Sequence, residues 1–302
     1  MQGRGASPLA AALLLPISSA CWGGNIVIGR IVHAEVPPVG LSFWRWVLAL
    51  AIFLPFAWPH LRRDWSDVRR HWKRLALLAF FGMTAFHTAL YLSVNYTTAT
   101  NAALLVAICP VLVPLLARAL YSDAVTPRVL LAIAVSLLGV AIVVLRGDPS
   151  RLWTLQVNAG DLIMLAAVFS WSMYTVMLKR RPAGLHPQTL LVTTMACAAA
   201  MLLPPYLWES LFVRSMPVTA NALLAVAYVV VFASILAYLC FNRGIEVLGP
   251  SKGGLFLHLI PVFAALFAFV FLGERLQIFH AAGIAAIGAG ILMATTARQP
   301  SR

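Results

Sequence analysis

Acidic side chains are scarce in this chain, with nine Asp and Glu among 302 residues against 22 Lys and Arg. Only 10% of the residues are charged, where a soluble domain carries about 25%. A soluble globular protein is excluded, since it would leave large apolar patches in water. No long apolar run holds an Asp or Glu in its middle third, and Asp161 stands only at the start of one. A carboxylate-based proton relay is therefore disfavoured, leaving His87 and His258 as the protonatable groups of the core.

Cysteine is equally sparse. Cys21, Cys109, Cys197 and Cys240 each fall inside an apolar run and form no CxxC pair, so neither a disulfide framework nor a zinc site is indicated. There is no HExxH, no pair of membrane aspartates and no GxSxG elbow, so the chain is not expected to be an enzyme. No cofactor and no metal are expected. The apolar runs also lack the Lys/Arg cluster that would clamp a phosphate. A charged ring or carbonyl-filter motif is missing too, which argues against a channel.

What the chain has in abundance is apolar sequence, at 62%. A membrane span takes roughly 20 apolar residues. Runs bounded by charge, Pro and Gly predict helices over 8–32, 38–59, 74–95, 99–120, 127–146, 158–178, 187–208, 218–242, 251–272 and 276–297. The first run is too long for a signal-peptide core and is read as a helix. The expectation is an all-α polytopic membrane protein of ten transmembrane helices in one compact domain. With both ends on one side, sixteen Lys and Arg fall on that side and five on the other, Arg45 lying within a span. That asymmetry places both termini in the cytoplasm. The basic excess then faces the bilayer, and nucleic acid is not an expected partner.

The chain also matches itself. At an offset of 149, Trp22 falls on Trp171, Arg30 on Lys179, Pro38 on Pro187 and Pro55 on Pro204. At 151, Pro110 falls on Pro261, Asp123 on Glu274 and Gly139 on Gly290. Two halves, 8–146 and 158–297, thus hold five spans each. An odd number of spans forces the second half to enter the bilayer inverted. Inverted repeats bring substrate sites near the midplane, between the halves, and are the signature of alternating-access transporters.

Several segments carry a resemblance: SSACWGGNIVIGR in the first helix, FWRW with Arg45 in the second, the Pro110 and Pro261 segments, LGER at 272–275 and the closing GIAAIGAGILM. With these the chain resembles the drug/metabolite transporter superfamily, in its ten-helix EamA-type branch. It departs from the usual LGE in the first half, where Tyr121-Ser122-Asp123 stands. Within the branch it is most similar to the YddG-like exporters, which implies export of aromatic and other neutral amino acids. An exporter of drugs or lipophilic cations is the alternative. The four-helix multidrug exporters of the superfamily use a first-helix glutamate, and nothing acidic stands between Ser18 and Asn25.

Polar residues within a span are costly unless they face protein or a watery path. Ser18, Trp22, Asn25 and Gly29 share one helical face. Thr84, His87, Tyr91 and Asn95 share another. The residues expected to bind substrate are Trp22, Asn25, His87, Tyr91, Asn101, Trp171, Tyr174, Tyr238 and His258, lining a central cavity between helices 1, 3, 4, 6, 8 and 9. Each also has a plain packing role open to it, the histidines and Trp22 and Trp171 above all. Pro110 and Pro261 are hinge candidates. Arg45 reads as a gate or structural residue, with a substrate carboxylate as the other possibility. The partners expected are the lipid bilayer and a small solute, an amino acid, with a monomer sufficient.

Overall fold

The computed structural model describes residues 8–32, 35–93, 95–97, 105–153, 158–272 and 277–296. They form ten helices in chain order: α1 (Pro8–Val32), α2 (Pro38–Arg63), α3 (Trp65–Ser93), α4 (Cys109–Tyr121), α5 (Pro127–Val144), α6 (Ala159–Lys179), α7 (Pro187–Phe212), α8 (Ala220–Leu248), α9 (Pro250–Phe271) and α10 (Ile278–Thr295). Eight are long and apolar enough to cross a membrane; α1 and α4 carry the shorter apolar stretches Leu13–Gly29 and Cys109–Tyr121. This is an all-α polytopic fold. Helix starts follow local chemistry. Proline, with no N–H to leave unpaired, opens α2, α5, α7 and α9. Asn158 and Asp161 form a capping box on α6.

One boundary differs from the sequence reading. Helix α3 begins at Trp65 rather than near 74, and its first turns kink at His71 (φ −111°, ψ 15°). Residues 65–73 are too charged for a hydropathy signal, yet Val68 is buried while Trp65 and Trp72 stay exposed, the pattern of an amphipathic surface turn. Of the fourth span the structure describes residues 105–106 as helix, a turn at 107–108 and helix α4 from Cys109; its expected start at 99 lies outside the described residues.

The packing repeats itself across the halves. Helix α1 packs on α8 and α9, and its counterpart α6 packs on α3 and α4, while α2 pairs with α7 and α5 with α10. A two-fold relation between α1–α5 and α6–α10 maps each contact onto its mate. The α5–α10 pair is a close one. A Cβ built on Gly139 would lie 2.7 Å from the Gly283 carbonyl oxygen, and one on Gly290 would lie 2.6 Å from that of Ala132.

Carboxylates fasten both ends of the α2–α7 pair. Glu209 of α7 accepts from the Val39 and Gly40 amides at the start of α2, at 3.1 and 2.6 Å. At the other end Asp64, just past α2, accepts from the His186 amide and the Thr189 hydroxyl, both at 2.8 Å, and pairs with Arg63. Each acid thus sits at the positive end of the helix it caps. The His186 ring stacks on His60 with centroids 3.6 Å apart.

Burial raises the Asp64 pKa, but the donations from His186, Arg63 and Thr189 outweigh it and hold the carboxyl below its ordinary range. Burial, with His60 and Arg63, also holds the His186 imidazole below its ordinary value, against the opposing pull of Asp64. Both groups resist protonation more in the fold than in the unfolded chain. Their contribution to stability is full above the unfolded pKa values and is lost as pH falls through the native ones. The thermal midpoint of the purified protein is therefore expected to drop between about pH 7 and about pH 5. His186→Asn, which keeps the cap on the Gln188 amide, should shrink that drop. An equal drop in the variant would place its origin elsewhere.

Candidate functional site

Helices α3 and α8 each interrupt their α-winding with a π-helical stretch, Phe80–Ala85 and Val229–Leu236. The two begin 149 positions apart, the same offset that relates Trp22 to Trp171. Wide turns of this kind free backbone carbonyls and are frequent at functional sites. Here the freed groups are taken by side chains from other helices. Tyr238 of α8 donates its hydroxyl to the Gly82 carbonyl in α3. Trp22 of α1 donates its indole N–H to the Ala233 carbonyl in α8, at 3.0 Å.

Around these bonds the aromatic side chains gather. Trp22 and Trp171, repeat mates, touch each other edge to face with centroids 5.0 Å apart, which places them on the two-fold relation itself. Tyr238 meets Trp22, Trp171 and Tyr174 at 5.9, 5.8 and 6.0 Å. His87 lies 6.3 Å from Tyr238 and 6.2 Å from Tyr91. Tyr174 donates to the Asn242 side chain at 2.6 Å and lies flat against Gly82, where a Cβ would come within 2.3 Å of its ring. The His87 Nδ1 lies 3.1 Å from the Met83 carbonyl. A carbonyl only accepts, so Nδ1 carries the proton and Nε2 is left as the acceptor side.

The expected central cavity is, in this arrangement, filled by these rings. Trp22, His87, Tyr91, Trp171, Tyr174 and Tyr238 are all buried, at 8% exposure or less. Rings that would flank a small solute flank one another instead, so the site is drawn closed. A cleft of about 350 Å³ lies off-centre between α2, α7 and α8, lined by Trp44, Tyr206, Met216 and Val226 among others. It is mostly apolar and includes none of the residues singled out from the sequence.

Asn25 is buried three residues beyond Trp22 on α1. Asn101 lies outside the described residues, as do Gly273, Glu274 and Arg275 of the LGER segment. His258 sits away from the rings. Its Nε2 is 3.0 Å from the Ala107 carbonyl and its Nδ1 is 2.6 Å from the Ser136 hydroxyl. Nε2 must donate and Nδ1 must accept, so both nitrogens are engaged in joining α9, α5 and the turn before α4. Ala107 is itself the position matching His258 at the 151 offset. Pro110 and Pro261 each follow a break in regular winding, the turn at 107–108 and the 3-10 stretch Leu255–His258. Ser18 bonds its own backbone at Leu15.

Three ring residues escaped the sequence reading. Phe86 packs 4.8 Å from Trp171, and Phe241 lies 5.2 Å from Trp22. Trp46 packs on both Tyr238 and His87. Only Trp46 had a signal, as the neighbour of Arg45 in FWRW.

The model of the EamA-like transporter family matches residues 9–145 and again residues 158–296. The chain belongs to the EamA-like transporter family. It is 29% identical over 290 residues to an uncharacterized transporter of Archaeoglobus fulgidus, covering 95% of this chain and 97% of that protein. It is 28% identical over 273 residues to the uncharacterized transporter YyaM of Bacillus subtilis, covering 90% and 89%. One crystal structure superposes with a TM-score of 0.76 at 19% identity, over 95% of this chain and 96% of that one, and shows the same fold. This EamA-like protein is thus a multi-pass membrane transporter.

Proposed function

We propose that this EamA-like transporter exports aromatic and other neutral amino acids across the inner (plasma) membrane, by alternating access, with both termini cytoplasmic. The observation that supports it most is the ring cluster astride the two-fold relation, where Trp22 and Trp171 meet. A site on that relation belongs to both repeats, so rocking one repeat against the other uncovers it from either side in turn. Ring faces suit an ammonium group or an apolar side chain, and Asn25 and Tyr91 add hydrogen-bonding capacity. Pro110 and Pro261, next to the matched breaks, are the hinges. His258, held by two hydrogen bonds, keeps α9 against α5 and the turn before α4 and relays no proton.

Counterflow of radiolabelled phenylalanine and threonine into proteoliposomes tests this reading. Saturable exchange of both, unchanged by an imposed pH gradient, is expected. No exchange of either, with a lipophilic cation carried instead, would replace it by drug export.

A further inference from the structure

Arg45 lies in the middle of the fold with no exposure to solvent. Its Nε donates to the Ser234 hydroxyl at 2.6 Å, one terminal nitrogen to the Tyr91 hydroxyl at 3.3 Å, and the other to the Ala233 carbonyl at 2.8 Å. Its guanidinium stands over the Trp46 ring, 4.8 Å from the centroid. All these partners are neutral. Among the described residues no ion pair includes Arg45. The buried acids are committed elsewhere, Asp64 and Glu209 to helix ends and Asp161 to the α6 capping box.

A guanidinium keeps its charge in proteins. An ion at membrane depth without a counter-ion is costly, and such residues mark sites where charge is handled. Cross-linking two hydroxyls and a freed carbonyl requires N–H donors, not a net charge. The Trp46 face meets part of the charge, but no anion among the described residues does. Two of the five N–H groups are left over from the three bonds. Trp46, whose ring the guanidinium covers, has a buried indole N–H without a partner, and so has Trp171, which like Trp46 packs on Tyr238. A cation and two unpaired donors against one aromatic cluster make a receptor that lacks its anion.

We propose that the missing anion is the substrate's own carboxylate: when the rings part, Arg45 takes it, with Trp46 as a second donor, and solutes without a carboxylate are rejected. This rests on the amino-acid reading and names the carboxylate as the group the site requires, with the aromatic rings taking the remainder of the molecule. Arg45 then touches substrate, which the sequence left open beside a gate or structural role.

The test is competition against labelled phenylalanine counterflow by the full-length protein in proteoliposomes. Unlabelled phenylalanine, 3-phenylpropionate and phenylalaninamide are compared, the last lacking only the carboxylate. Half-inhibition by the amide is expected to need at least about ten times the concentration that phenylalanine needs, and 3-phenylpropionate should compete. Arg45→Gln should lower phenylalanine exchange by about tenfold or more and erase the preference for acid over amide, with a thermal midpoint no lower than wild type. Arg45→Lys should retain part of both exchange and preference. Equal competition by acid and amide in the wild-type protein would overturn the assignment while leaving amino-acid transport standing, whether or not any variant folds. Arg45→Gln with undiminished exchange would overturn it as well. Absence of phenylalanine exchange in the wild type, with a lipophilic cation carried, would remove both readings together.

Discussion

Trp171→Ala is expected to destabilise the fold by about 3–5 kcal/mol, the usual cost of emptying a buried tryptophan site, and to leave little transporter for a flux assay. Trp171 is 3% exposed and is enclosed by Trp22, Phe86, Tyr174, Tyr238 and Phe241, so no neighbour is free to fill the hole. The substitution that separates packing from function is Trp171→Phe. Its indole N–H has no partner in this arrangement, so phenylalanine forfeits no hydrogen bond and leaves a much smaller void. We expect Trp171→Phe to fold nearly as well as wild type but to exchange phenylalanine several-fold more slowly. Trp22→Phe, which gives up the bond to the Ala233 carbonyl, should cost about 1 kcal/mol more stability. Thermal unfolding in detergent and counterflow read the two effects separately. Wild-type exchange in Trp171→Phe would confine Trp171 to packing.

Valine at Gly139 or Gly290 is expected to open the α5–α10 seam. The atoms that a new Cβ would meet at 2.6–2.8 Å include the Gly283 carbonyl, the Ile287 amide and the Ala132 carbonyl. These belong to the facing backbone and cannot swing aside as a side chain would. Overpacking of this kind costs about 1–3 kcal/mol, and more where the backbone cannot move. The two glycines are repeat mates, so the losses should be similar, and Gly288 supplies the control. A Cβ at Gly288 meets nothing within 4 Å, and Gly288→Ala should hold or raise the thermal midpoint through its better helix propensity. Unchanged midpoints in Gly139→Val and Gly290→Val would contradict the packing of α5 on α10.

Most of the architecture is legible in the chain because the bilayer simplifies it. Lipid allows few alternatives to a helix for a long apolar run, so spans follow from hydropathy. The odd span number per half then dictates inversion. Helical spacing placed Trp22, His87 and Tyr91 on polar faces and the repeat paired Trp22 with Trp171, and the fold gathers these rings around Tyr238. Three features left no such trace. The amphipathic turn at 65–73 carries too much charge to stand out among apolar runs. The π-helical stretches depend on which carbonyls other helices recruit, a tertiary matter that no local pattern encodes. The engagement of His258 depends on Ser136 and Ala107, distant in sequence and unremarkable in type. Arg45 was visible as a charge inside a span, but its lack of a counter-ion is a property of its surroundings.

Solute is proposed to pass through the ring cluster where the repeats meet, reached from each side in turn. A single cysteine at Asn25, with Cys21, Cys109, Cys197 and Cys240 replaced by alanine, tests it most directly. Labelling is measured with a membrane-impermeant thiol reagent, in right-side-out and in inverted vesicles. Modification from both faces, slowed by phenylalanine on either side, is expected. Modification from one face only, unaffected by phenylalanine, would contradict it.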